Sequence, residues 1–247
     1  MAIPLTTSPS NAGIAGRHLE TATLRSARWF YVGMGLAVIG VVAAGFGPSF
    51  YVRPATMPAL APRVVAHGIL FSSWVVLFLV QAALASWGPI RLHRRLGLAT
   101  AGLAVIMLVT APPMAIDLAR RGLPPGEPLE FLLVILTDLL LFAIFVVAGI
   151  YNRHQSKTHK RLMLLAMVSM LPPSISRWPI AVKHPAPVIM GIMLVFLAAA
   201  PIFDLLARRR LSRVSLWGGL VVLVSLPLRF TVAQTAAWHA LANWLVR

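Results

Sequence analysis

The sequence predicts an all-α polytopic membrane bundle of about seven transmembrane helices, and three observations predict it. Of the 247 residues, 59% are hydrophobic and 11% are charged, where a soluble domain carries roughly a quarter charged. Apolar runs approaching or exceeding the roughly 20 residues that a span needs recur near 29–48, 63–87, 96–118, 129–150, 160–176, 186–206 and 214–244. The 22 Lys and Arg, set against 6 Asp and Glu, gather in clusters between those runs. That pattern favours contact with anionic lipid head groups over nucleic acid. The chain has no cysteine, which excludes disulfides, thiolate metal sites and iron–sulfur ligation and leaves His, Met and carboxylates as metal donors.

Residues 1–27 are rich in Ser, Thr and Ala, with Arg17, His18 and Arg25, and lack a short apolar core followed by a small-residue cleavage site. They are expected to form a polar tail, disordered or lying on the surface, rather than a cleaved signal peptide. Residues 28–247 then form a single bundle domain. In the first span Gly33, Ala37, Gly40 and Ala44 recur every three or four residues, the spacing that lets a neighbouring backbone approach closely. The connection Gly122–Pro128 is turn chemistry, and Glu130 complements the dipole of the fourth helix. The fifth run is short, and Pro172-Pro173 ends or bends it. The seventh is overlong, and Pro227 and Arg229 mark a kink or a passage into an interfacial helix.

With the N-terminus in the cytoplasm, alternate connections place fourteen Lys and Arg inside and seven outside, Arg229 lying within a span. The positive-inside rule therefore selects an N-in, C-out orientation. The expected setting is a bacterial inner membrane. Trp29, Trp87 and Trp217 at one boundary, and Trp178, Trp238 and Trp244 at the other, form interfacial belts, while Trp74 sits mid-span.

Ionisable groups within a bilayer need partners, and Asp138 and Arg229 both fall in the middle third of their spans, so they are expected to pair. The pair serves either to fix helix packing or to handle a proton or substrate. His67, Trp74 and Gln81 follow at intervals of seven and share one stripe of the second helix, expected to face inward. His67, His184 and His239 belong to the outer part of the membrane.

The stretch LHRRLG, Leu92 to Gly97, and the stretch THKRLM, Thr158 to Met163, each place a His and two basic residues at the start of an inward-entering helix, sixty-six residues apart. His93 and His159 are thus expected at similar depth, in a weak parallel repeat. One reading is the positive-inside effect with phospholipid contact. The other is a haem with bis-imidazole ligation, its propionates held by Arg94, Arg95, Lys160 and Arg161 and its pocket lined by Met163, Met167 and Met170. A Met stripe at helical spacing is equally a core feature.

His67-Gly68 followed by Trp and Gln, then LHRRLG, then HKRLML with SRWP at Ser176 to Pro179, resembles a widespread group of bacterial predicted integral membrane proteins of unknown function. The likeness covers about residues 64–179. More distantly, a His in one helix followed by a His opening the next is similar to transmembrane di-haem b-type cytochromes and to haem-linked assembly factors of terminal oxidases. The resemblance implies haem b, with His67, His93 and His159 as candidate iron ligands, and electron transfer serving a respiratory complex or its assembly. Two other readings stand beside it: a non-catalytic accessory subunit binding lipid or a larger membrane complex, and a small transporter using Asp138 and Arg229. No nucleophile elbow, glycine-rich phosphate loop or paired carboxylate set supports an enzyme.

Overall fold

The computed structural model describes residues 11–124 and 126–247. Among these the elements are α1 (Asn11–Phe46), a widened turn (Gly47–Tyr51), α2 (Pro62–Trp87), α3 (Ile90–Arg120), α4 (Pro128–Tyr151), α5 (Ser156–Ser169), α6 (Pro172–Ile175), α7 (Pro179–Lys183), α8 (Pro185–Arg208), α9 (Arg213–Ala233) and α10 (Ala236–Leu245). Proline opens α2, α4, α6, α7 and α8, a position where its missing N–H costs nothing and its fixed φ is already helical. The polar segment expected as a tail is helical from Asn11 onward, continuous with the first span, while residues 1–10 lie outside the described part.

Among the described residues six stretches are long and apolar enough to cross a membrane: Ser26–Tyr51, Pro62–Trp87, Ile90–Arg120, Pro128–Tyr151, Pro185–Ala207 and Arg213–Ala233. The protein is a multi-pass membrane helix bundle. Consecutive helices from α1 to α5 pack as neighbours, and α9 returns to lie against α4, α5 and α8. One end of the bundle gathers the N-terminal part of the first span, the α2–α3 turn, the α4–α5 turn and the α8–α9 turn, and is termed here the basic end. The opposite end carries the widened turn, α6, α7 and α10.

The fifth run departs from the expected span. α5 has 14 residues, about 21 Å of helix, short of the roughly 30 Å hydrocarbon layer. Pro172 and Pro173 cannot donate to the preceding turn, so the helix stops at Ser169 and restarts as α6. The shortness is tolerated because Leu164 to Ser169 are all buried among other helices rather than facing lipid, and backbone breaks at membrane depth are permitted where protein surrounds them. α5 begins beside Gly149 at the basic end, and α6 packs on Gly45 near the other end of α1, so this broken segment still carries the chain from end to end.

The seventh run is also divided, though not at the expected place. Pro227 and Arg229 stay inside α9; the break falls at Gln234-Thr235, where the Thr235 hydroxyl accepts from the Trp238 amide at 3.3 Å and starts α10. Pro112, Pro113 and Pro201 likewise remain within their helices, as neighbouring helices permit in membrane bundles.

The main core runs from Val38 on α1 through Trp74, Met107 and Phe142 to Met167 and Val222, and a smaller cluster of Leu132, Ala233, Trp238 and Ala242 closes the opposite end. The stripe of Gly33, Ala37, Gly40 and Ala44 is exposed, and a Cβ on Gly33 or Gly40 would meet nothing within 4 Å. The close approaches on α1 are made instead by Gly35, against Leu79, and by Gly45, against the Ser174 carbonyl.

Candidate functional site

The two His–basic motifs meet at the basic end. α3 and α5 both start there, and the rings of His93 and His159 stand 6.5 Å apart between centroids with their planes at 84°. The position of His159 follows from how α4 ends. Asn152 N–H bonds to Ala148 and Arg153 N–H to Ile150, which leaves the Gly149 carbonyl free of its usual partner four residues on. His159 Nδ1 takes that place at 2.8 Å. A carbonyl only accepts, so Nδ1 carries the proton and, in the neutral ring, Nε2 presents a lone pair.

His93 is oriented by Gln81 on α2. With the amide turned so that both of its ends are satisfied, Gln81 accepts from the Gly97 N–H at 2.7 Å and donates to His93 Nδ1 at 2.6 Å. The opposite orientation offers the oxygen to His93 Nδ1–H and the nitrogen to the Thr100 hydroxyl at 3.4 Å. In the satisfied orientation the Gln81 amide donates to Nδ1, so the neutral His93 ring carries its proton on Nε2; only the reverse orientation, which turns the amide oxygen toward the His93 carbonyl and the amide nitrogen toward the Gly97 N–H, leaves a lone pair on Nε2. Two imidazoles bound to one metal at about 2 Å each hold their ring centres on the order of 6 Å apart, so the spacing of these rings matches a bis-imidazole pair, while a lone pair on His93 Nε2 requires the Gln81 amide to turn.

The surrounding residues part company with the sequence reading in two ways. Arg161, expected to hold a propionate, is buried in an ion pair with Asp204 of α8. Its Nε lies 3.0 Å from the Ser215 hydroxyl of α9 and its Nη1 donates to the Lys157 carbonyl at 2.7 Å. Side-chain exposure is 5% for Arg161 and 1% for Asp204, so neither is available to a ligand. Met163 packs its sulfur into the space left by Gly149, and Met167 is core. Lys160 lies over the Tyr31 ring at 4.8 Å, while Arg94 and Arg95 remain exposed.

The buried pair of Arg161 and Asp204 is the feature that sequence reading missed. A signal was present. Asp204 ends an apolar run, and a carboxylate there demands a cation.

His67 lies at the opposite end, where its ring packs on Phe71 at 4.2 Å and Phe50 covers Gly68. It shares no site with His93 and His159. His239 belongs to α10, and His184 precedes α8. At mid-bundle Arg229 Nη1 donates to Asp138 Oδ1 at 2.6 Å and Nη2 to the Ser225 hydroxyl at 3.0 Å. Their side chains are 2% and 3% exposed. Trp74 stacks edge-on against Phe142 at 4.8 Å between centroids.

Among the described residues no group of three or more His, Asp or Glu converges as a metal site, so the imidazole pair with Gln81 is the donor set present at the basic end. Comparison with protein-family models, with curated proteins and with solved structures gave no match to this chain. Its class, a multi-pass membrane helix bundle, rests on the six apolar helices.

Proposed function

We propose that this is a haem-binding membrane protein of electron transfer, with His93 and His159 as the two imidazoles that would hold the haem at the cytoplasmic end of the bundle. The observation that carries the reading is the 6.5 Å separation of those two rings on parallel helices. His159 is oriented through its Nδ1–H by the Gly149 carbonyl, the kind of outer support that tunes metal-bound imidazoles, and His93 would gain the same support from Gln81 once the amide turns its oxygen to Nδ1–H. A bound haem b would supply one-electron chemistry whose potential these two hydrogen bonds adjust. Arg94 and Arg95 stand as candidate propionate partners. The setting is a bacterial inner membrane, and service to a respiratory complex or its assembly rests on the distant resemblance of a His in one helix followed by a His opening the next to b-type cytochromes and oxidase assembly factors.

The alternative use of Asp138 and Arg229 in transport draws no support from their burial and mutual bond, which favour a packing role. The test of the haem reading is an absorption spectrum of protein purified after expression with haem supply. A Soret band is expected, lost in His93→Ala and in His159→Ala and kept in His67→Ala. Wild-type protein without that band would sink the proposal.

A further inference from the structure

The basic end carries a second feature that the imidazole pair does not use. Arg28, Arg91, Arg94, Arg95, Arg153, Lys157, Arg209, Arg210 and Arg213 are all exposed there. None of them forms an ion pair among the described residues. The described carboxylates are placed elsewhere or already engaged. Asp117 pairs with Arg63 and Arg121 at the opposite end, Glu127 and Glu130 flank the start of α4, Asp138 is held by Arg229, and Asp204 by Arg161. The cations at the basic end are therefore uncompensated within the described chain.

Their depth decides what compensates them. The connections at this end are Gly88-Pro89, residues 152–155 and residues 209–212, two to four residues each by those bounds. Such tight turns project no domain, and they keep the guanidinium groups at helix ends, in the plane of the lipid head groups. At the α1–α2–α3 corner the pattern sharpens. Trp29 and Trp87 meet edge to face, with 4.9 Å between centroids and 61° between planes. Yet they remain 60% and 51% exposed, so the pair packs on itself while offering its outer surface to a third party. Arg28 precedes Trp29 on α1, and Arg91 follows Trp87 by four residues across the turn, with Arg94 and Arg95 next on α3. Indole rings favour the boundary between acyl chain and head group, and guanidinium groups bind phosphate in bidentate fashion.

We propose that this corner, made by Arg28, Trp29, Trp87, Arg91, Arg94 and Arg95, is a binding site for the head group of an anionic phospholipid. The indole pair seats the glycerol and upper acyl region, and the arginines hold the phosphodiester and its charge. The site does not require haem, and because Arg94 and Arg95 lie next to His93, a lipid phosphate there would compete with a propionate for them.

The test uses the full chain reconstituted in phosphatidylcholine vesicles containing one-fifth phosphatidylglycerol, brominated on either the glycerol lipid or the choline lipid. Quenching of tryptophan fluorescence then reports which lipid neighbours the indoles. Because each cation near the surface contributes on the order of 1 kcal/mol of attraction to anionic lipid, an enrichment of phosphatidylglycerol over its bulk fraction by at least about threefold is expected for the wild type. The enrichment is expected to fall to bulk in the Arg91→Gln/Arg94→Gln/Arg95→Gln variant and to persist in Arg209→Gln/Arg210→Gln/Arg213→Gln. All six positions are exposed, and helix content by circular dichroism checks that each variant folds. Quenching that follows the bulk composition in the wild type overturns the proposal and leaves an acidic protein surface as the occupant of the same cations. Equal loss in both triple variants overturns the assignment to this corner.

Discussion

Replacing Asp204 by Ala strands a guanidinium inside the bundle. Arg161 is 5% exposed, and its partners are the Asp204 carboxylate, the Ser215 hydroxyl and the Lys157 carbonyl. Removing the carboxylate leaves two neutral acceptors and no counter-charge. Breaking a buried pair from one side costs about 3–5 kcal/mol, because the remaining charge is desolvated without compensation. For a chain of this size, each kcal/mol corresponds to roughly 2–4 °C of melting temperature, so Asp204→Ala is expected to lower Tm by on the order of 10 °C. The double variant Arg161→Met/Asp204→Leu removes both charges and fills the space with apolar atoms. It is expected to lie within about 2 kcal/mol of the wild type, since apolar replacement of a whole buried pair is often neutral or stabilising. The assay is thermal unfolding in detergent micelles, read by circular dichroism, on the wild type, both single variants and the double variant. The reasoning fails if Asp204→Ala shifts Tm by less than about 3 °C, or if the double variant is as unstable as the sum of the two singles.

The mid-bundle pair obeys the same logic. Arg229→Gln leaves Asp138 buried without its cation and is expected to cost about 3 kcal/mol or more in the same unfolding assay, while Arg229→Met/Asp138→Leu recovers most of the loss. Gly45→Ala would drive a methyl group into the Ser174 carbonyl, where backbone on both sides leaves nothing flexible to yield. A loss of roughly 1–3 kcal/mol is expected, against none for Gly40→Ala in open space; equal stability of the two variants would refute the close approach of α1 and α6.

The legible parts of the sequence were those with a single physical explanation. Asp138 and Arg229 are lone ionisable residues in the middle of apolar runs, so pairing was the only inexpensive solution, and the structure joins them at 2.6 Å. His93 and His159 both stand at the start of helices that run the same way, and their rings lie 6.5 Å apart with planes at 84°. Residues with two adequate explanations misled. Arg161 sits in a basic run that the positive-inside rule already covers, and Asp204 sits four residues before the cluster Arg208–Arg210, so each could be read as an end-of-helix charge. Only the packing of α5 reveals that Arg161, one turn deeper on the same face as Lys157, is buried while Lys157 stays exposed. The stripe of Gly33, Ala37, Gly40 and Ala44 had the spacing of a helix contact, but spacing does not say which face of a helix meets a neighbour. Gly45, one residue past that stripe, makes the contact instead.

The shortness of α5 ties these observations together. A helix of 14 residues that faces little lipid cannot be fixed in depth by its own hydrophobic length, as the other helices are. Its depth has to come from specific bonds, and its first two turns have them on opposite faces. His159 bonds to the end of α4 on one side, and Arg161 reaches α8 and α9 on the other. Because these residues are two apart, about 200° around the helix, pulling on one face is resisted by the other. The basic cluster Lys157 to Arg161 therefore divides its tasks by rotation and by depth along the helix. Lys157 remains exposed at the basic end, Lys160 rests on Tyr31, Arg161 locks the helix, and His159 is held with its free nitrogen available. Loss of the Arg161 lock should accordingly reach His159 first, so Asp204→Asn is expected to weaken the Soret band of the proposed haem complex even under conditions where circular dichroism shows the bundle still folded.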